Sequence, residues 1–339
     1  MAKYNIKVLG VGGGGSNTVD FLIDNKIENI QTYAINTDDQ ALKTSKADVK
    51  IRLGEKTTKG LGAGALPRIG KLAAEESKEE IIKELTGADV VFVAAGMGGG
   101  TGTGAAPYIA SIAKQMDILT IGVVTKPFNF EGASRMEMAL EGLRALENNS
   151  DITIVIPNEQ LIAKHRDKYI EDAFVLPDEV LQTAIYSIVQ VLENVSPFTA
   201  NIDLNSLRSK LIDKGIAVMG IGESNDEALV ASENTIRALD NAMASEILEI
   251  SVHGAQEFII LMTANQNTVI LDELDLIENH LKKELGYEVK CEISLADDPS
   301  YGDVQRKIAI IAVDYANKEF VERITVPREN ISENIFSGL

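Results

Sequence analysis

Short apolar runs alternate with longer amphipathic stretches through the first half of the chain. Apolar runs separated by helix-length segments predict a parallel β-sheet with helices on both faces. In such sheets, ligands bind beyond the carboxyl ends of the strands. The unusual residues of this sequence follow those ends. The predicted strands are residues 6–9, 33–35, 90–95, 119–124 and 152–156.

The second half begins with a long helical pattern. Apolar residues recur at helical spacing over 178–195, which predicts a buried connector helix with Asp178 and Glu179 in its first turn. A polar loop at 196–203 and another helix over 204–214 follow. The remainder predicts a smaller α+β domain, with strands at 216–219, 258–263, 289–293 and 308–313 and helices at 226–240 and 271–285.

The predicted fold class is therefore α/β: a Rossmann-like parallel sheet with helices on both faces, a long central helix and a second, smaller α+β domain. A chain of 339 residues with 45% apolar residues can bury two cores of ordinary size. The predicted boundaries are 1–177 for the first domain, 178–213 for the connector with its loop and following helix, 214–326 for the second domain and 327–339 for a frayed tail.

Charge and cysteine content narrow the partners and the compartment. A formal net charge of −19 argues against nucleic-acid partners and against adsorption to an anionic membrane. The only cysteine, Cys291, excludes an internal disulfide and fits a small apolar residue on a strand. No apolar run approaches the ~20 residues that span a bilayer, so we expect a soluble, cytoplasmic protein with no direct membrane insertion.

The most informative motif is GGGTGTG at residues 98–104, between a predicted strand and a predicted helix over 105–116. Five glycines let the backbone approach an anion and turn N–H groups toward it, while Thr101 and Thr103 offer hydroxyls and the helix offers its positive end. This layout predicts a phosphate-binding turn. The alternative is an ordinary glycine-rich turn.

Two further glycine-rich segments change the picture. GVGGGG at 10–15 follows the first strand and precedes a helix predicted from Ser16, with Asp38 and Asp39 where a ribose partner would lie. Alone, it would indicate a dinucleotide. Two phosphate-binding turns on one sheet instead favour a mononucleotide gripped from both sides. A third segment, KGLGAGA at 59–65, either orders around a terminal phosphate or is a flexible surface loop.

Together with INTDDQAL at 35–42 and PFNFEG at 127–132, these segments closely resemble FtsZ, the tubulin relative that forms the division ring. The resemblance extends from residue 6 to about 313, and MGGGTGTGAAP followed by TKPFNFEG favours FtsZ over tubulin itself. It implies a tubulin-like fold and GTP or GDP as ligand. Mg²⁺ would be held through the phosphates, without a protein metal site, since the three histidines show no ligand spacing.

The resemblance also assigns residues. It implies that Thr125 and Pro127 line the ribose, that Glu131 bonds its hydroxyls and that Arg135 neutralises phosphate charge. Phosphate contacts fall to Gly13, Gly14, Asn17, Gly64, Ala65, Gly98, Gly100, Thr101, Gly102, Thr103 and Gly104.

At the base, the resemblance assigns guanine reading to Asn158 and Asp178 and ring stacking to Phe174. An ionised Asp178 suits guanine because a carboxylate accepts two N–H bonds, which adenine does not offer. By spacing alone, Asp178 is equally an N-cap of the long helix, and the two roles are compatible.

Catalysis in the family occurs where the loop after the long helix enters the next subunit's pocket. Here the loop is NIDLNSL at 201–207, in which Asn201 and Asp203 match the family and Ser206 replaces a second acid. A hydroxyl holds a water but activates it poorly, so we expect slow GTP hydrolysis. A second departure is Leu66, where the family commonly has asparagine before proline.

The implied partners are other copies of the chain, in a head-to-tail polymer at the cytoplasmic division site. In the family, a flexible linker and an adaptor-docking peptide follow the globular part, whereas this sequence stops at Leu339 without either. Adaptor proteins are therefore expected only if the family pattern holds. Two alternatives remain: a GTP-binding scaffold that polymerises with little hydrolysis, and an NAD-dependent oxidoreductase built on the 10–15 glycine motif.

Overall fold

A computed structural model describes residues 4–163, 170–193, 204–245, 247–248 and 251–315, with the side chains of 162–163 and 170–174 left undescribed. Within these residues, ten strands form one sheet in the order β3-β2-β1-β4-β5-β6-β7-β10-β8-β9. The strands are β1 Ile6–Val11, β2 Ile30–Asn36, β3 Val49–Arg52, β4 Val90–Gly96, β5 Leu119–Lys126, β6 Ile152–Pro157, β7 Gly215–Ser224, β8 Ala255–Ala264, β9 Lys290–Asp297 and β10 Arg306–Tyr315.

Helices connect the strands and cover the sheet. They are α1 Gly12–Asp24, α2 Asp39–Thr44, α3 Pro67–Glu76, α4 Lys78–Leu85, α5 Gly100–Gln115, α6 Ala133–Glu147, α7 Asn158–Ala163, α8 Ile170–Glu193, α9 Leu204–Leu211, α10 Ala231–Met243 and α11 Asp272–Leu285. Short 3-10 turns lie at Asn129–Glu131 and Gln266–Thr268. Among the described helices, none is long and apolar enough to cross a bilayer.

The predicted parallel sheet is confirmed for the first half. Strands β1 to β6 pair in parallel, and their buried apolar residues explain the runs in the sequence. Strand β7 joins the two halves, because its first residues pair in parallel with β6 and its remainder pairs antiparallel with β10. The domain boundaries proposed above stay a prediction, since both halves share this sheet.

The long central helix α8 packs against one face of the sheet. Its stripe of Leu181, Ala184, Ile185 and Ile188 is buried in a core that includes Ile154 of β6. The stripe is the one that the spacing of apolar residues predicted. The second face is covered by α5 and α3 in the first half and by α10 and α11 in the second.

Several predicted boundaries were wrong. Helices α1 and α5 begin inside the glycine runs, at Gly12 and Gly100, rather than at 16 and 105. Helix α10 occupies Ala231–Met243 rather than 226–240, and strand Val49–Arg52 was missed because its four residues alternate polar and apolar at the sheet edge. Glycine lowers helix propensity in an interior but not at an amino terminus that opens on a ligand crevice.

Helix α8 also begins earlier than predicted, at Ile170 rather than 178. Pro177 and the acidic Asp178 have the properties of a helix start, yet both lie in the helix interior. A proline there removes one backbone hydrogen bond. The apolar stripe that follows it stabilises the helix enough to continue through the proline.

Candidate nucleotide-binding site

The carboxyl ends of the parallel strands are in register along one edge of the sheet. Val11 of β1 lies opposite Ala95 of β4, and Gly96 lies opposite Thr125 of β5. Lys126 in turn lies opposite Pro157 of β6. The segments that follow these strands therefore share one crevice, as expected for a ligand site in an open α/β sheet.

The two phosphate-binding turns touch each other there. Gly12 has φ +75°, and a Cβ on it would lie 2.9 Å from the backbone nitrogen of Gly102. A Cβ on Gly14 would lie 3.1 Å from the backbone nitrogen of Gly96. Glycine is required at such approaches because any side chain would separate the two turns. The prediction that two turns grip one ligand thus has the necessary geometry.

Two helix amino termini open onto this crevice. Helix α1 begins at Gly12 and α5 at Gly100, and neither has an acidic residue in its first turn. The first N–H groups of a helix have no intrahelical partner and carry the positive end of its dipole. Gly13, Gly14 and Asn17 are exposed, and a Cβ on Gly13 would meet nothing within 4 Å. These two helix starts therefore have the backbone geometry that favours an anion.

Both threonines of GGGTGTG are buried and shape the turn. Thr103 Oγ1 accepts a hydrogen bond from the Gly98 N–H at 2.8 Å. The hydroxyls of Thr101 and Thr37 lie 2.7 Å apart. Their contribution to a ligand is thus at least partly indirect, since these contacts fix the backbone whose N–H groups face the crevice.

The third glycine-rich segment lies against the start of α5. A Cβ on Gly100 would lie 2.8 Å from the backbone nitrogen of Leu66 and 2.9 Å from Ala63 Cβ. Gly64 and Ala65 are exposed, both with positive φ. Gly62 N donates to the carbonyl of Thr37 at 3.0 Å, which anchors the segment to the turn after β2. It therefore borders the crevice, where a terminal phosphate would come within its reach.

Arg135 and its partner Glu131 lie beside Gly98 of the GGGTGTG turn, whereas the third glycine-rich segment lies beside Gly100. Arg135 is in the first turn of α6, and its Nη1 lies 2.7 Å from Glu131 Oε2. Glu131 also accepts from the Phe128 N–H at 2.9 Å. A Cβ on Gly98 would lie 2.8 Å from Arg135 Cγ, so the arginine abuts the turn. The two side chains therefore form an ion pair beside the turn.

The residues predicted to read the base lie just after β6 and on α8. Asn158 is only 8% exposed, and its Oδ1 has no hydrogen-bond partner among the described residues. A buried amide oxygen without a partner costs about 1–3 kcal/mol, so it indicates a group that a ligand satisfies. The side chain of Phe174 lies outside the described residues, and its predicted stacking stays a prediction.

Asp178 faces α1 from within α8. Thr18 Oγ1 donates to its Oδ1 at 2.8 Å. Burial raises the pKa of Asp178 from 3.8 to about 6, and the hydrogen bond from Thr18 lowers it only in part. The N-cap alternative is wrong, because Asp178 is in the helix interior. Thr18 was not predicted, and only its position one helical turn after Gly14 could have indicated it.

The residues that would serve a dinucleotide are engaged elsewhere. Asp38 caps α2 by accepting from Gln40 N at 2.8 Å. Asp39 pairs with Arg52 at 3.1 Å. Both carboxylates therefore already make a structural contact, each through its Oδ1. Among the described residues, no group of three or more His, Cys, Asp or Glu side chains could hold a metal.

The predicted catalytic segment is only partly described. Asn201 and Asp203 lie outside the described residues. Ser206 is exposed in the first turn of α9, and its carbonyl accepts from Ser209 Oγ at 2.8 Å. Leu204 N, at the start of α9, donates to Tyr4 OH at 3.0 Å. Since Tyr4 precedes β1, α9 lies where the parallel strands begin, which we call the amino-end edge of the sheet. The crevice lies where these strands end.

This fold and crevice match one family of proteins. The model of the Tubulin/FtsZ family, GTPase domain, matches residues 5–165. The chain belongs to this family, and it is a GTP-binding, tubulin-like protein with a GTPase domain. Family membership excludes the oxidoreductase alternative, in agreement with the engaged carboxylates of Asp38 and Asp39.

The resemblance to FtsZ is confirmed by solved structures. The empty FtsZ dimer from M. jannaschii is 35% identical to this chain, with a TM-score of 0.84 over 92% of this chain and 88% of that one. CetZ2 from Haloferax volcanii, a GTPγS-bound protofilament, is 18% identical, with a TM-score of 0.79 over 95% of this chain and 96% of that one. CetZ1 from the same organism, a GDP-bound monomer, is 17% identical, with a TM-score of 0.80 over 95% and 97%. The CetZ likenesses show the fold alone.

Proposed function

We propose that this chain binds GTP at the carboxyl-end edge, polymerises head to tail, and has its GTP hydrolysed with the help of the next subunit. The helix that carries Ser206 lies at the opposite edge of the same sheet, and this observation carries the proposal. Helix α8 alone, with 24 residues, spans about 36 Å between the two edges. One chain cannot bring its own Ser206 to its own phosphate crevice, whereas the next chain in a polar polymer can.

Each part of the crevice has a role toward the nucleotide. The N–H groups at the starts of α1 and α5 hold phosphate oxygens, and Arg135 adds positive charge beside Gly98. Asn158 and Asp178 read the guanine edge, and their burial makes each hydrogen bond selective. Mg²⁺, held through the phosphates and water, would offset further charge.

Hydrolysis needs a group that orients and polarises the attacking water. Asp203 supplies a carboxylate, with Asn201 beside it in sequence, while Ser206 offers only a hydroxyl. Loss of a general-base-type group commonly lowers a rate by about 10²- to 10⁴-fold, and the retained Asp203 softens that loss. We therefore propose that this chain hydrolyses GTP slowly for a member of its family. Ser206→Asp should raise turnover, and an unchanged or lower rate would refute the role given to Ser206.

The dependence of turnover on protein concentration tests hydrolysis between subunits. Phosphate release per subunit should fall steeply below a threshold concentration, because dilution separates the pocket from the neighbour's loop. Sedimentation of the same samples with GTP should lose polymer at the same threshold. A rate per subunit that stays constant down to nanomolar protein would mean that one chain completes its own site.

Ser206 also favours a second candidate function, a GTP-binding scaffold that assembles with little hydrolysis. Light scattering separates the two. Polymer formed with GTP should disassemble as GTP is consumed, whereas polymer formed with a slowly hydrolysed analogue should persist. Persistence in both samples would favour the scaffold.

For the cellular role, we propose a component of the division ring in the cytoplasm, with adaptor proteins as additional partners. The proposal rests on 35% identity to an FtsZ, against 17–18% for the two CetZ proteins. A fluorescent fusion should form a band at the division site. Uniform fluorescence, or a band away from the division plane, would contradict it.

A further inference from the structure

Helix α5 connects the two edges of the sheet. Its first residue, Gly100, is part of the phosphate crevice, and its last residue, Gln115, lies at the amino-end edge just before β5. With 16 residues the helix is about 24 Å long. Most of its residues are buried, so close packing holds it in place between the two ends of the sheet.

The far end of α5 is fastened to α9 and to the turn that follows α9. Arg208 Nη1 donates to the carbonyl oxygen of Asp117 at 2.9 Å, and its guanidinium also pairs with the Asp117 carboxylate. Lys114 Nζ lies 2.6 Å from Asp213 Oδ1 and donates to the Ser150 carbonyl at 3.0 Å. Two cationic side chains thus join the phosphate-binding helix to the helix that carries Ser206.

Helix α9 is held from the other side as well. Lys210 pairs with Glu292 on β9, in the second half of the sheet. Leu207 and Leu211 are fully buried, and they turn one face of α9 to the core. The ion pairs of Arg208 and Lys210 add contacts that hold the orientation of the helix.

We propose that Arg208 and Lys114 are positioning residues for hydrolysis in the neighbouring subunit. They set the orientation of α9, and with it Ser206, relative to the nucleotide edge of the same chain. This inference rests on the proposed function above. A displacement of about 1 Å at a catalytic group lowers a rate by up to about 10²-fold, so contacts that contribute little to stability can still control turnover.

A mixing experiment tests the direction of the effect. The acceptor is the full chain with Asp203→Ala, which keeps its pocket but offers no working loop. The donor is the full chain with Gly13→Glu, which keeps its loop, while the new carboxylate enters the crevice and repels phosphate. A Cβ on Gly13 meets nothing within 4 Å, so the donor should fold normally. Phosphate release is measured when a fixed amount of acceptor receives increasing donor.

The expected result is directional. Arg208→Ala in the donor should lower the stimulated rate about tenfold, whereas the same change in the acceptor should leave it unaltered. Lys114→Met in the donor should act in the same direction. Arg237→Ala, which removes an exposed ion pair between Arg237 on α10 and Asp226 before that helix, is the matched control and should have no effect. The melting temperature of each variant should change by about 3 °C or less.

Three outcomes would overturn the inference. An undiminished rate with the Arg208→Ala donor would show that Arg208 positions nothing. An equal loss from the acceptor change would show that Arg208 acts on its own pocket or on folding. No stimulation by the Gly13→Glu donor itself would refute hydrolysis between subunits, and the inference would fail with it. The Gly13→Glu donor with Arg208 intact therefore tests the proposed function, and the same donor with Arg208→Ala tests the inference alone.

Discussion

Asp178 makes guanine binding dependent on pH in a way that the structure specifies. The nucleotide-free protein holds this carboxyl with a pKa of about 6, because burial disfavours its charge. Only the ionised form accepts two N–H bonds from guanine, so binding requires the proton to leave. We therefore predict that affinity for guanine nucleotides falls as the pH is lowered through 6, and that each binding event releases about half a proton near pH 6 and nearly a whole proton near pH 5.

The magnitude follows from the pKa. Between pH 7 and pH 5, the ionised fraction of a group with a pKa of 6 falls from about nine-tenths to about one-tenth. Affinity should therefore fall about tenfold, or about 1.4 kcal/mol. The phosphates of the nucleotide titrate in the same range, which adds a second pH dependence. Asp178→Asn keeps the size of the side chain and its ability to accept from Thr18, and it removes only the titration of the carboxyl.

Stability provides an independent readout with a fixed sign. A carboxyl whose pKa is raised on folding is protonated in both states below pH 3.8, so it does not destabilise the native state there. As the pH rises from 3.8 through 6, the unfolded state loses its proton more readily, and the native state becomes progressively less stable. The full shift corresponds to at most about 3 kcal/mol, and roughly half of that after solvent screening. In the absence of nucleotide, Asp178→Asn should raise the free energy of unfolding at pH 7 by about 1–2 kcal/mol, and by much less near pH 4.

The assay compares the two proteins from pH 5 to pH 7.5. Fluorescent GDP binding gives the affinity, calorimetry in two buffers of different ionisation enthalpy gives the protons released, and urea unfolding gives the stability. The affinity of the parent relative to Asp178→Asn should rise about tenfold across the range, since phosphate titration affects both alike. Parallel affinity curves with equal proton release would refute the assignment of Asp178.

Three further substitutions separate binding from folding. Gly13→Ala should leave the melting temperature unchanged but weaken GTP binding, because its Cβ enters open crevice; calorimetry measures both. Gly102→Ala should instead destabilise the protein by about 1–3 kcal/mol in urea unfolding, since its Cβ would lie 2.5 Å from the Gly96 carbonyl oxygen; equal stability would contradict that packing. Arg306→Met should lower the free energy of unfolding by about 3–5 kcal/mol, because the Glu273 carboxylate would stay buried without its cation. Both side chains are fully buried, with Arg306 Nε 2.8 Å from Glu273 Oε2. A loss below about 1 kcal/mol would refute this, and Arg237→Met is the exposed control.

The parallel sheet and the phosphate-binding turns could be predicted because each has a local signal. Buried strands such as β4 show continuous apolar runs, and Gly12 and Gly102 are placed where the two turns meet. Any other residue at those glycines would separate the turns, so the sequence had few alternatives. The stripe of α8 was equally plain, since helical spacing of apolar residues has one period.

Other features depend on contacts distant in sequence, and local patterns do not encode them. Asp178 has the properties of a helix start, yet α8 extends eight residues before it. Its hydrogen bond with Thr18 spans 160 residues, and its raised pKa follows from the packing of α1 on α8. The link between Arg208 and Asp117 is likewise set by the meeting of two helix ends. Such charge partners become visible only when the fold is known.

A crystal structure of the protein with a slowly hydrolysed GTP analogue is the most direct test of the proposed nucleotide site. We predict triphosphate density within hydrogen-bond distance of the backbone N–H groups at the starts of α1 and α5, with the guanine edge on Asn158 and Asp178. An empty crevice at saturating ligand, or a nucleotide bound elsewhere on the chain, would contradict it.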